Sequence, residues 1–398
     1  QVTEEWDAHS FGEGKVRHWT HTVAGSSYEL SAMILALTAK YDPKKASARA
    51  QEARRRGRMK IKNKVDRLWL QQMVTALVNR RGQPTQTTIA IDKSSMERFA
   101  DATKEEDVPE APEGELPDRA KRLGWRYNTP NINLVQVQVQ KTSKGTRRNT
   151  DGAGRNVSVP PHANQDLSST QLAALALYAA QPFGVKFPQS VWIDIAEFTL
   201  SHQEAAGPDH QRHDPVLTSG GYAAPVDQAR GFMYITGSPD GSEGRATGAM
   251  TACGVANLLM AKDALSRTKE GQKLWKDAEL DHRVEKGIWD GLAWLDLNWS
   301  AFTNSKSQYG YHIYYLYAIE RAQDLRGKEL IGKHLWYREG ALEILARAQA
   351  AKVTDPTKRG AREKDGVFWM TNATHEPKDV LDTCCALLFL KRATKEMV

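Results

Sequence analysis

The chain has 398 residues, of which 40% are hydrophobic and 26% charged, and 55 basic against 48 acidic side chains leave a formal net charge of +7. That length admits two or three domains or one large fold, with enough apolar material for a sizeable core. No window approaches the ~18 consecutive apolar residues of a membrane-spanning helix. The three cysteines, Cys253 and the adjacent Cys384 and Cys385, make no disulfide framework, because a vicinal bridge strains the backbone.

The basic excess is patchy. Arg54–Lys64 (RRRGRMKIKNK) is a basic run, whereas Glu105–Asp118 is acidic and proline-rich. Basic runs contact phosphate or cover a solvated helix face. With no zinc-knuckle spacing and no aromatics interleaved among the cations, no nucleic-acid partner is expected. Gln1 in place of a methionine fits a cleaved secretory signal, which would imply an extracytoplasmic location, and equally a trimmed chain.

In chain order, Ser26–Leu37 (SSYELSAMILAL) reads as a first apolar helix and Val65–Arg81 as an amphipathic one. Residues 82–164 form an insertion, in which Thr87–Asp92 and Asn133–Gln140 alternate as strands around the polar loop Val108–Pro117. Beyond it, two helix types alternate. Segments beginning at Ser168, Gly248, Gly310 and Leu381 are apolar almost all round, as buried inner helices would be. Val191–Gln203, Ile288–Trp299 and Tyr337–Gln349 carry one apolar stripe and one charged face, as outer helices would. The loop Thr357–Gly366 is a smaller addition.

The four apolar segments align on a pivot residue: Thr170, Thr251, His312 and Thr383. An apolar residue, Leu177, Leu258, Ile319 or Leu390, follows two helical turns later on the same face. A glycine–aromatic step also recurs, as Gly124–Tyr127 (GWRY), Gly231–Tyr234 (GFMY) and Gly366–Trp369 (GVFW). Helix pairs repeated in this way predict an all-α fold, a closed ring of five to six hairpins spanning residues 1–398 as one domain.

With its small-polar inner-helix starts, outer helices ending in glutamine and glycine–aromatic steps, the chain resembles the α/α toroid of prenyltransferases and terpenoid cyclases. It is most similar to bacterial prenyltransferase/squalene-oxidase repeat proteins, on Ala246–Leu265, Tyr311–Ala322, Trp336–Leu345 and Asp382–Thr394. The resemblance implies a central cavity at the inner-helix ends that holds an apolar small molecule or a peptide. The family's Asp-x-Asp-Asp and Asp-Asp-x-x-Asp acid runs are missing, as is the Cys-Gly-Glu-Gln run of thioester toroids. Binding without turnover is therefore the first functional expectation, and an isoprenoid-processing enzyme with a diverged site is the alternative.

The candidate catalytic residues are His312, Asp166 and Asp382, and each has a structural alternative. Aspartates before a helix cap it, and a histidine at a pivot can be a satisfied core residue or an acid–base group. Thr170, Thr251, Tyr311, Tyr314, Tyr315, Thr383 and Cys384 are expected to line the cavity. The family binds zinc through Asp-x-Cys and a distant histidine, which Asp382, Cys384 and His312 echo in altered order. That match is too loose to assign a metal, so neither a metal nor a cofactor is expected, and the oligomeric state is left open.

Overall fold

The computed structural model describes residues 19–23, 27–42, 52–54, 56–79, 81, 87–91, 123–125, 140–141, 147–148, 165–213, 216–218, 221–223, 225–235, 244–308, 310–353, 363–370 and 378–391. These are predominantly helical, as the periodicity predicts. Ten helices are α1 Ser27–Tyr41, α2 Lys64–Asn79, α3 Leu167–Ala180, α4 Ser190–Ser201, α5 Gly248–Ser266, α6 Lys269–Asp277, α7 Leu280–Leu297, α8 His312–Arg326, α9 Trp336–Ala346 and α10 Lys378–Lys391. Strands β1 to β10 form five two-stranded antiparallel ribbons. Ribbon β1 (Trp19–Val23) with β2 (Thr87–Ile91) contains the first predicted strand of the insertion. The short pair β3 (Gln140–Lys141) and β4 (Arg147–Arg148) also lies there. Most of the second predicted strand, Asn133–Gln140, and all of loop Val108–Pro117 lie outside the described residues.

The chain divides into two compact units: Gln1–Phe198 with Ile235–Gly237 and Ala261–Ala278, and Thr199–Tyr234 with Ser238–Met260 and Glu279–Val398. In the first, α1 packs along α3 with α2 beside both. Its core holds Leu30, Ile34, Leu68, Val74, Trp125, Leu177 and Trp192, all buried. Asp166 caps α3, accepting the Ser169 backbone N–H at 2.7 Å and the hydroxyls of Ser168 and Ser169 at 2.8 and 2.9 Å. In the second unit α8 packs against α9 and α10. Phe232, Val255, Leu295, Leu316, Trp336 and Phe389 form its core.

The pivots explain the glycine–aromatic steps. Trp125 donates its backbone N–H to Thr170 Oγ1, Phe232 to Thr251 Oγ1 and Trp369 to Thr383 Oγ1, each at 3.0 Å. The indoles of Trp125 and Trp369 both donate to a carbonyl of the preceding outer helix region, Leu77 and Ile344, at 2.7 Å. Glycine must precede the aromatic in two copies. A Cβ on Gly124 would lie 2.7 Å from Thr170 Oγ1, and one on Gly231 2.8 Å from Thr251 Oγ1. The third copy is offset from the motif: the paired residue is Trp369, so Phe368 stands where the glycine stands elsewhere, and Gly366 sits two residues earlier in strand β10 (Lys364–Phe368).

Candidate metal centre

The residues singled out by the pivot pattern turn out to be occupied within the scaffold. His312, the first residue of α8, is buried and holds its Nε2 2.6 Å from the Ala301 carbonyl. Nε2 must carry the proton to donate that bond. Burial depresses the His312 pKa, and the Ala301 bond opposes this only in part. The imidazole is thus held neutral. Asp166 is fully buried in its cap. Asp382 is buried but lies inside α10, which begins at Lys378, so it does not cap the helix. Cys384 is exposed whereas Cys385 is buried, and burial pushes the Cys385 thiol up. Tyr311 precedes α8 in the left-handed region (φ 52°), Tyr314 contacts Cys253 Sγ at 3.3 Å, and Tyr315 is fully buried.

A different constellation lies in the second unit. Its base is ribbon β5 (Asp209–Gln211) and β8 (Val226–Gln228), with His210 opposite Asp227. This ribbon lies against α7. Just past β5, Arg212 forks onto Asp227 at 2.5 and 2.8 Å and stacks 3.6 Å from the centroid of Trp289 on α7. The salt bridge and the stacking together fix how the ribbon meets the helix. That anchorage carries His210 and His213 to the end of α7, where Asp296 waits.

Asp296 is the centre of the site. Its side chain is 6% exposed, with His210 Nε2 at 2.7 Å and His213 Nε2 at 3.3 Å from Oδ2, and His334 Nε2 at 3.6 Å from Oδ1. It sits in the last turn of α7, at the negative end of the helix dipole. A buried carboxylate is costly unless a cation compensates it, and a helix C-terminus adds to that cost. Among the described residues, its ion-pairing partners are three imidazoles, with no lysine or arginine. The turn that brings in His334 is closed by reciprocal backbone bonds between Ile331 and His334, and the His334 ring stacks on Trp299. Gly332 in that turn has φ +55°, and an added Cβ would lie 1.9 Å from Asp296 Oδ1. Only glycine lets the turn approach the carboxylate so closely.

His210, His213 and Asp296 offer ligand atoms that all lie within 4.8 Å of one another. A tetrahedral zinc site with bonds of ~2.0–2.1 Å separates its ligand atoms by about 3.3 Å. The His213–Asp296 spacing already has that value, and the direct His210–Asp296 hydrogen bond would have to open by roughly half an ångström. Two nitrogens and one carboxylate oxygen suit a divalent transition metal, with coordination positions left for water or a ligand. The centre borders a small cleft whose walls include Arg212, Trp289, Arg326 and Ile331.

The Asp382, Cys384 and His312 echo, to which the sequence assigns no metal, is not gathered in this way. Among the described residues, the ligand groups close enough to share one ion do not include His312, Asp382 or Cys384. The sequence reading missed the His210 centre because its members are scattered over a ribbon, a helix end and a turn. The one local trace was the spacing of His210 and His213. Compared with family profiles, curated proteins and solved structures, the chain matches none of them.

Proposed function

We propose that the second unit is a metal-binding module, in which His210, His213 and Asp296 hold one divalent transition metal of zinc type. The observation that carries this reading is the buried Asp296 carboxylate at a helix C-terminus, whose ion-pair partners among the described residues are imidazoles. Ligation requires both Nε2 atoms to be deprotonated, so metal replaces the proton that His210 shares with Asp296. The ligand for the open positions is an anionic group. The cleft also holds two guanidiniums, Arg212, paired with Asp227, and Arg326, which donates to Gln323 Oε1 at 2.8 Å and lies 5.6 Å from the Trp289 centroid. A phosphate or carboxylate there would bind the metal and Arg326 together, and the metal would polarise it as a Lewis acid.

The experiment is titration of the purified protein with Zn²⁺ and Co²⁺. One equivalent with a tetrahedral Co²⁺ absorption band, lost in Asp296→Asn, is expected. No stoichiometric binding would leave the cluster as a His–Asp–His hydrogen-bonded network.

A second reading concerns the repeat. We infer that the helix pairs are hairpins of the α/α toroid kind, with a cavity for an apolar small molecule or a peptide bound without turnover. The equal Thr170–Trp125, Thr251–Phe232 and Thr383–Trp369 bonds support a genuine structural repeat. Native mass spectrometry tests it: a co-purifying lipid or peptide is expected, and its absence counts against the cavity reading.

A further inference from the structure

The two oxygens of Asp296 have different neighbours. Oδ2 has His210 Nε2 at 2.7 Å and His213 Nε2 at 3.3 Å. Oδ1 lies against the 331–334 turn, with His334 Nε2 at 3.6 Å and the Cα of Gly332 beside it. His334 is not among the three residues whose ligand atoms gather within 4.8 Å of one another, so the third imidazole has a place of its own. It is also firmly held there. Its ring stacks on Trp299, with centroids 5.6 Å apart and planes at 25°. The Trp299 indole N–H donates to Glu339 on α9 at 2.7 Å, and the same indole packs 6.3 Å from the buried ring of Tyr315.

Metal entry changes which donors the carboxylate can use. Without metal, His210 Nε2 donates to Oδ2. As ligands, His210 and His213 turn Nε2 lone pairs toward the ion, so neither can donate to Asp296 through that atom. Of these three imidazoles, His334 is the one that still offers an Nε2–H, and it offers it to Oδ1. At 3.6 Å the contact is too long for a hydrogen bond. Opening of the His210 bond, which ligation requires, frees the carboxylate to close that gap. Oδ1 is then engaged by the protein, and Oδ2 alone reaches the ion.

We propose that His334 is a positioning residue that makes Asp296 a one-oxygen ligand and so tunes the centre to a zinc-type ion over Mn²⁺. This inference rests on the metal centre proposed above. Zinc is satisfied by four ligands, whereas harder ions favour more oxygen donors, which a carboxylate free to present both oxygens supplies. Hydrogen-bonded outer partners orient ligating carboxylates in this way.

The test compares wild type with His334→Phe, which keeps the stack on Trp299 and loses the N–H, and His334→Gln, whose amide N–H can replace Nε2–H. Competition with a chromophoric chelator gives the ratio of Zn²⁺ to Mn²⁺ affinity for each. The ratio should fall by about tenfold or more in His334→Phe, the usual size of an outer-shell effect, and recover in His334→Gln. The tetrahedral Co²⁺ band should weaken and recover in parallel. If circular dichroism shows His334→Phe unfolded, His334→Leu, equally unable to donate, takes its place. Absence of stoichiometric metal in wild type would refute the centre itself. With metal bound by wild type, three results would overturn the role of His334 alone: an unchanged ratio and band in the variant without the N–H, no recovery in His334→Gln, or complete loss of metal from a folded variant, which would make His334 a ligand.

Discussion

The Trp125 backbone N–H and the Thr170 hydroxyl, 45 residues apart in sequence, meet at 3.0 Å in the first unit, and this pairing sets the repeat's register. The hydroxyl also donates to the Asp166 carbonyl at 2.8 Å, so one side chain ties a helix's first turn to the segment lying across it.

Replacing Thr170 by valine keeps the shape and orphans a buried N–H. The expected loss is ~1–3 kcal/mol, the cost of leaving a buried donor unsatisfied. Thr251→Val should cost as much, since Phe232 N–H is equally buried, and Thr383→Val less, since its bond is only part-buried. Urea midpoints of the three variants measure the ranking, and equal or absent losses would contradict it.

His312 should make the fold acid-sensitive. Its folded pKa lies below the ordinary 6.5, with burial as the main cause. The unfolded state therefore binds more protons as pH falls through 6.5, and stability drops with it, whereas above 6.5 the contribution is flat. Melting temperatures from pH 7.5 to 5 should show this fall, and the slope should shrink in His312→Thr, the residue used at the other three pivots.

Metal and stability should be linked. At a free metal concentration 100 times Kd the second unit gains about 2.7 kcal/mol, which a chelator removes. A melting transition raised by Zn²⁺ and restored by EDTA, in wild type but not in His210→Ala, is the expected pattern.

Gly332→Ala should weaken the centre without replacing a ligand. The new methyl collides with Asp296 Oδ1 and must push the carboxylate or the turn aside. Outer-shell changes typically cost ~10–100-fold in metal affinity, and Asp296→Asn should cost more. Competition with a chromophoric chelator ranks the two, and a Gly332→Ala protein with unchanged affinity would refute the close approach.

Arg326→Gln should leave metal affinity intact while weakening inorganic phosphate binding to the metal-loaded protein by roughly 10- to 150-fold, the worth of one charge-assisted hydrogen bond to an anion at ~1.5–3 kcal/mol. Calorimetric titration of phosphate into both proteins decides it.

Much of the helical architecture was written locally. Apolar periodicity placed α3, α5, α8 and α10 and the amphipathic α2, α4, α7 and α9, because a side chain's face on a helix depends only on its spacing. Pivot register was legible for the same reason, and three threonines at matching positions do make matching bonds. Helix ends were less so: Asp382 reads as a cap yet lies within α10, which begins four residues earlier at Lys378. Ribbons β5–β8 and β9–β10 (Gln349–Val353 with Lys364–Phe368) were not read at all, being short strands held by pairing across the ladder rather than by propensity.

What the sequence determined by itself was therefore most of the helices, though not α6, and the three equivalent threonine pivots. Only the tertiary structure decided what His312 does, by setting Ala301 against it, and which histidines gather around a carboxylate. His210, His213, Asp296 and His334 span three separate elements, and no periodicity links positions brought together by a ribbon, a helix end and a glycine turn.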